Sequence, residues 1–199
     1  LDGEDVYVTN YAIEEPRLAD LAKGVAVSNY FVAAQSEGLF GLFPRWRAFP
    51  AWLSHVLPDS PQTMWFHAQG GPLFFSDDPL AAVAWHSTVS YFWLQILFHA
   101  GYRKVLLIGF DNSYTQPAGV VEGTLLAQAE DDPNHFDPAY FRGKQWQAAD
   151  PARMAQTYAL ARRHYEAAGR EIVNCTIGGK LEIFRRGSLS DERVHGANR

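Results

Sequence analysis

A histidine among carboxylates is the first candidate for chemistry in this sequence. His135 lies in the run 131–138, which also contains three aspartates and two prolines. Because histidine titrates near neutral pH, it suits removal of a proton from a hydroxyl group, and a neighbouring carboxylate can orient its ring. A polar surface loop shaped by Asp-Pro turns and a Mg²⁺ or Mn²⁺ site are the alternatives. The spacing matches no metal-ligand pattern, so no metal site is predicted.

A second candidate follows the most apolar strand-like segment. Residues 104–110 form a nearly continuous apolar run, which predicts a strand buried on both faces of a parallel sheet. Asp111 and Asn112 come directly after it and can hydrogen-bond a ribose or a base edge, while Tyr114 can reach a phosphate. A simple turn cap is the alternative for Asp111. The position beyond a buried strand favours the functional interpretation.

A third candidate is the start of a predicted helix. His86, Ser87 and Thr88 precede apolar residues at helical spacing, and Gly101 ends the pattern. Free N–H groups and the helix dipole at such a start favour a phosphate. Capping by Ser87 is an equally good explanation.

Strand and helix patterns alternate through most of the chain. This alternation predicts an α/β fold: a Rossmann-like, mostly parallel sheet with helices on both faces. In such sheets ligands bind beyond the carboxyl ends of the strands. Asn10 and Asn29 end the first two predicted strands and therefore join the candidate nucleotide-binding residues.

The domain is predicted to cover residues 1–187, followed by a polar C-terminal tail at 188–199 that is expected to fray. Residues 114–150 are rich in Pro, Gly and Asp and weakly periodic, which predicts a long loop that is functional or mobile. The chain begins in a polar turn, which leaves open whether it contains the first βα unit of such a fold.

Composition narrows the functional classes. The 199 residues carry a net charge of -5 without a basic stripe, so a nucleic-acid partner is not expected. The lone cysteine, Cys175, excludes an internal disulfide and predicts a reducing, cytoplasmic location. The apolar segment 89–100 is shorter than the roughly 20 residues that cross a bilayer, so no membrane span is expected.

Three stretches, 86–114, 132–136 (Asp-Pro-Asn-His-Phe) and 174–184 (Asn-Cys-Thr-Ile-Gly-Gly-Lys-Leu-Glu-Ile-Phe), carry a family resemblance. Together they resemble a bacterial sialyltransferase-like family, related to motility-associated flagellin glycosylation factors and more distantly to bacterial α-2,3-sialyltransferases. The resemblance implies transfer of a sugar, such as a nonulosonate, from a nucleotide-activated, CMP-type donor to a surface-glycan or protein acceptor. It implies no metal and no cofactor.

The resemblance also implies roles for individual residues. His135 resembles the loop histidine that acts as general base, and Tyr114 a tyrosine that assists departure of the phosphate. Asn10 resembles an asparagine that contacts the donor nucleotide, and Thr88 lies where the family holds donor groups. Two features depart from the family: the Gly-Asn-Gly-Pro-Ser-type loop is absent, and His86 stands where the sialyltransferases carry an arginine.

Two other functions stay open at this point. An archaeal branch of the wider superfamily makes a pterin diphosphate, which requires ATP and Mg²⁺. A non-catalytic module that binds a nucleotide or a sugar is the other alternative. The sequence leaves the donor sugar, the acceptor, the linkage and the oligomeric state open.

Overall fold

The computed structural model of the chain describes residues 1, 3–121, 123–135 and 138–196. Its strands are β1 (Val6–Thr9), β2 (Ala22–Ala26), β3 (Trp46–Pro50), β4 (Thr63–Phe66), β5 (Ala68–Gln69), β6 (Val83–Ala84), β7 (Lys104–Leu107), β8 (Leu125–Ala127), β9 (Gln145–Gln147), β10 (Glu171–Asn174) and β11 (Arg185–Arg186). Its α-helices are α1 (Pro16–Leu21), α2 (Tyr30–Gln35), α3 (Glu37–Gly41), α4 (Val89–His99), α5 (Pro151–Ala167) and α6 (Leu189–Gly196). Short 3-10 helices cover Asn10–Glu14 and Ala51–Leu53.

The first sheet has the order β1-β2-β3-β4, and all its strands are parallel. Helix α4 packs on this sheet, and Gly24 in β2 permits the close approach. A Cβ at Gly24 would lie 3.1 Å from the Tyr7 ring and 3.2 Å from the Trp93 ring. The predicted mixed α/β architecture with parallel strands is confirmed. Strand β3 was not predicted, because its Trp- and Pro-rich sequence resembles a loop.

The second sheet has the order β11-β10-β7 and is also parallel. The prediction that 104–110 is buried on both faces is wrong. Most of β7 is half-buried, and Ile108 just beyond it is 50% exposed. The reason is that β7 pairs only with β10 among the described strands, so its other edge faces a cavity.

This cavity has a volume of about 430 Å³ and separates β7 from β1. The amino-terminal ends of the two strands lie side by side, because the Tyr102 hydroxyl donates to Asp5 and lies 2.8 Å from the Tyr7 hydroxyl. The Trp93 indole N–H donates to the Val8 carbonyl at 2.9 Å. Helix α4 therefore covers the gap between the two sheets.

A fully buried glutamine fastens α4 to its surroundings. The Gln95 side-chain oxygen accepts from the N–H groups of Ser76 and Ala84, at 3.0 and 2.9 Å. Its amide nitrogen donates to the carbonyls of Ala84 and Tyr91. Every polar atom of this buried amide is satisfied, as a stable core requires. Within the described residues, none of the helices combines the length and apolar character needed to cross a bilayer.

The segment after Ser188 differs from the expected frayed tail. Residues 189–196 form α6, and its buried Glu192 pairs with Arg185 at 2.5 Å and with Lys104. Hydrogen bonds from Arg185 and then Lys104 lower the pKa of Glu192 to about 2. The ion pairs of Glu192 hold the helix, and a segment rich in charged residues resembles a tail when its sequence is considered alone.

Candidate functional site

Asp132 and His135 form a hydrogen-bonded pair. Nδ1 of His135 lies 2.8 Å from Oδ2 of Asp132, whose side chain is 2% exposed. Oδ1 of Asp132 accepts from the Asn134 N–H at 2.8 Å, so both carboxylate oxygens are engaged. The carboxylate favours the proton on Nδ1, which leaves Nε2 as the basic atom. Catalytic histidines in acyl-transfer enzymes are oriented by a carboxylate in the same way.

The segment that carries this pair is anchored at two places. The His135 ring stacks on Tyr140 with centroids 3.9 Å apart, and the Tyr140 hydroxyl accepts from the Tyr11 N–H just beyond β1. On the other side, the Asn134 side chain makes hydrogen bonds to both the N–H and the carbonyl of Thr115. His135 is therefore held near the carboxyl end of β1, and Asn134 near the segment that follows β7.

Much of the expected loop at 114–150 is ordered by pairing and packing. Strands β8 and β9 form an antiparallel pair, and the Gln35 side chain on α2 bonds to the backbone of Gln145. Tyr140, Phe141 and Trp146 are buried in the core cluster that contains Tyr11. Aromatic residues thus provide the positioning that short-range periodicity does not reveal.

Three residues around the carboxyl edge combine an unfavourable backbone with an unsatisfied side chain. Asn10, Ser87 and Asn112 have φ angles of 49°, 57° and 51°. Each also buries a side-chain oxygen that has no hydrogen-bond partner in the described chain. Non-glycine residues in this region and unsatisfied buried oxygens both carry a free-energy cost and concentrate at functional sites. The coincidence supports Asn10 and Asn112 as ligand contacts and adds Ser87, which sequence reasoning treated as a cap.

The cap of α4 is Thr88 rather than Ser87. Its hydroxyl accepts from the Ser90 N–H at 3.2 Å. Ser87 cannot take this role because its backbone is in the left-handed region, whereas a cap needs an extended one. The Tyr158 hydroxyl faces Thr88 and Ser90, whose side chains oppose the rise that burial produces in its pKa.

Asp111 and Tyr114 lie together after β7. Oδ1 of Asp111 accepts from the Ser113 N–H at 3.0 Å, so the turn-cap interpretation holds for that oxygen. Gly179 packs against it so closely that a Cβ there would lie 2.5 Å from the Asp111 Cα. Burial, with smaller contributions from Tyr158 and Asp111, raises the pKa of Tyr114. Tyr114 therefore keeps its proton at neutral pH and can donate a hydrogen bond.

Asn29 stands apart from this group. Its side-chain oxygen accepts from the N–H groups of Phe31 and Val32 at the start of α2. Its amide nitrogen donates to the Gln147 side chain at 2.8 Å. These contacts occupy both ends of the amide and give Asn29 a structural role, so it takes no part in the proposal below.

Sequence reasoning missed an arginine near the start of α4. The Arg153 guanidinium lies 3.1 Å from Nδ1 of the buried His86 and has no carboxylate partner among the described ion pairs. Burial and then the charge of Arg153 lower the pKa of His86, and the Pro72 carbonyl opposes this shift. His86 is therefore neutral near pH 7. Arg153 comes from α5, and only the folded chain brings it here.

The cavity between β1 and β7 lies apart from the predicted site. Val8, Trp93, Leu97 and Leu106 contribute to its largely apolar lining, whereas none of the predicted site residues lines it. Among the described residues, no three His, Cys, Asp or Glu side chains are arranged to hold a metal ion.

Comparisons of the chain with protein-family models, with curated proteins and with solved structures find no match. The function is therefore argued from the chemistry of the site. Its two main components are the Asp132–His135 pair and the strained, unsatisfied polar residues at the carboxyl edge.

Proposed function

We propose that this protein is a metal-independent glycosyltransferase. It would move a sugar, such as a nonulosonate, from a nucleotide-activated donor to a hydroxyl group of a surface glycan or a protein. The observation that carries the proposal is the Asp132–His135 pair, which leaves a basic Nε2 near the carboxyl end of β1. Parallel sheets bind ligands at this end of their strands.

In the proposed reaction His135 acts as the general base. Nε2 takes the proton of the acceptor hydroxyl while the oxygen of that hydroxyl forms a bond to the anomeric carbon of the donor sugar. The bond between that carbon and the phosphate oxygen breaks, and the electron pair leaves with the nucleotide. Tyr114 donates a hydrogen bond to the leaving phosphate, which stabilises the charge that develops there. Asp132 keeps the proton on Nδ1 throughout.

The donor nucleotide is assigned to the polar residues around the carboxyl edge. Oδ1 atoms of Asn10 and Asn112 accept hydrogen bonds from the ribose hydroxyls or the base, which would satisfy two buried oxygens. Thr88 and the start of α4 lie beside Tyr158 and offer helix N–H groups to the phosphate. Asp111 contributes the carboxylate oxygen that its turn leaves unused.

The same proposal includes a Rossmann-like arrangement with a further strand between β1 and β7. The carbonyl of Arg103, just before β7, and that of Leu107, at its end, accept from β10 and from the segment that follows β10. Because residues alternate sides in a parallel ladder, the backbone of Leu106 points to the cavity. A strand placed there would pair with this edge of β7.

The test is replacement of His135 by Ala, with CMP release from a CMP-linked nonulosonate and donor affinity measured separately. We expect turnover to fall by about 10²–10⁴-fold, the usual contribution of a general base, with donor affinity nearly unchanged. His99→Ala is the matched control, because His99 is exposed near the end of α4.

Other results would select another function. Unchanged turnover in His135→Ala would remove the base assignment. Binding of a nucleotide or a sugar without turnover would indicate a binding module. Release of AMP from ATP and Mg²⁺ in the presence of a pterin would indicate the diphosphate-transfer alternative.

A further inference from the structure

Two exposed tryptophans meet beyond the carboxyl ends of the strands. Trp52 follows β3 and Trp85 follows β6, and their rings lie 5.1 Å apart at 79°. They are 37% and 40% exposed, so each leaves part of its indole surface in water. Exposed aromatic groups at a ligand-binding edge are typical of recognition sites.

Polar side chains that can form hydrogen bonds border this tryptophan pair. His67 follows β4, whose Phe66 pairs with Pro50 at the end of β3, so His67 and Trp52 leave the sheet at the same edge. The side-chain amide nitrogen of Gln69 lies 2.9 Å from Nε2 of His67. The backbone carbonyl of Gln69 accepts from the backbone N–H of Trp85. His67 and Gln69 are both exposed.

The two tryptophans lie along the same edge of the sheet as His135, within the reach of a bound glycan. Strand β3 is the second neighbour of β1, and parallel strands are about 4.8 Å apart, so the end of β3 is about 10 Å from the end of β1 along the edge. Tyr30 follows the intervening strand β2 and is also exposed. Aromatic surface therefore extends along the edge from β2 to β3.

We propose that Trp52 and Trp85, with His67 and Gln69, bind a pyranose ring of the acceptor glycan. This proposal rests on the proposed function and names the acceptor subsite. A pyranose presents a face of C–H groups, which packs on an indole, and a rim of hydroxyl groups, which hydrogen-bonds to an amide and an imidazole. Asn10 and Asn112, assigned to the donor nucleotide, follow β1 and β7, whereas Trp52 follows β3. Trp85 precedes Thr88, the proposed phosphate contact, by three residues, so the sugar would bind next to the donor phosphate.

The experiment measures binding of lactose, chitotriose and mannotriose by saturation-transfer NMR and by quenching of tryptophan fluorescence. We expect at least one of these sugars to bind and Trp52→Ala and Trp85→Ala each to weaken its binding by about 5- to 100-fold, the loss seen when the aromatic partner of a stacked nucleobase is removed. Trp46→Ala is the matched control: Trp46 is 54% exposed and lies at the amino end of the strand that Trp52 follows. Its replacement should leave affinity unchanged.

Three results would overturn the subsite: no binding of any of the three sugars, equal affinities in all variants, or loss of CMP affinity rather than sugar affinity in Trp52→Ala. The last would make the pair a platform for a nucleobase. Trp52→Phe keeps an aromatic face and should retain most of the affinity, which separates stacking from misfolding. Activity of His135→Ala reports on the proposed function alone, so failure of the proposed function can be told apart from failure of the subsite.

Discussion

Replacement of Asp132 by Asn tests the catalytic pair with almost no change in shape. In the native chain Oδ1 of Asp132 accepts from the Asn134 N–H, and Oδ2 accepts from His135 Nδ1. An asparagine has one oxygen, and the backbone N–H of Asn134 requires it. The amide NH₂ group then faces Nδ1, which can only accept, so the imidazole proton moves to Nε2.

The expected loss follows from this change of tautomer. Nε2 can no longer take the acceptor proton, so the variant loses the general-base contribution of about 10²–10⁴-fold in kcat. An analogous aspartate-to-asparagine change in a serine protease lowers kcat by about 10⁴-fold for the same reason. Donor affinity should stay unchanged, because Asp132 contacts the histidine rather than the nucleotide.

The assay combines kcat with ¹⁵N chemical shifts of the His135 ring, which report the tautomer without any substrate. We expect the proton on Nδ1 in the native protein and on Nε2 in Asp132→Asn. Asp131→Asn is the control, because Asp131 is the preceding residue, is 70% exposed and pairs with Arg142 instead.

Either of two results would refute the reasoning about Asp132. One is a native His135 that carries its proton on Nε2. The other is an equal kcat in Asp132→Asn and Asp131→Asn, which would show that the carboxylate does not orient the base.

Three further predictions concern the surroundings of the site. Gly179→Ala should lower Tm clearly more than Gly178→Ala, because both glycines have positive φ but only Gly179 would place a Cβ against Asp111; equal losses by calorimetry would contradict this. Glu192→Gln should cost about 1–3 kcal/mol of unfolding free energy at pH 7 in urea titrations. Since folding lowers the pKa of Glu192 from 4.5 to about 2, its contribution is complete above pH 4.5 and is lost as the pH falls towards 2, a dependence that the variant should lack. Ser87→Gly should raise stability by up to about 1 kcal/mol, because glycine adopts positive φ freely, yet weaken nucleotide binding in calorimetric titrations; unchanged binding would exclude Ser87 from the site.

Capping residues and apolar spacing in the sequence predicted the two longest helices. Helix α5 begins after Asp150, whose side chain accepts from the Arg153 N–H, and Pro151 takes its first position. The sequence predicts both features from helix-capping preferences. Helix α4 was likewise predicted within two residues. Its cap was misassigned, because nothing local to Ser87 shows that its backbone adopts positive φ.

Features that depend on distant partners were not predictable. Strand β9 has only three residues, and its position is set by hydrogen bonds to α2 and by burial of Trp146. The partial exposure of β7 follows from its pairing with β10 alone among the described strands, which its own apolar sequence cannot reveal. For the site, the sequence indicated His135 and its carboxylate neighbours, but it did not show which aspartate pairs with it. The sequence also contained no sign of Arg153, because only folding brings this residue of α5 next to His86.

The position of α4 between the two sheets has a consequence for how the chain unfolds. No ladder hydrogen bond joins β1 to β7 among the described strands. The contacts that couple the two sheets include α4 with its Trp93–Val8 hydrogen bond and the contacts of Tyr102 with Tyr7 and Asp5. Weakening of the helix should uncouple the two sheets before either sheet unfolds. Cooperativity, more than total stability, is therefore the property most sensitive to changes in α4.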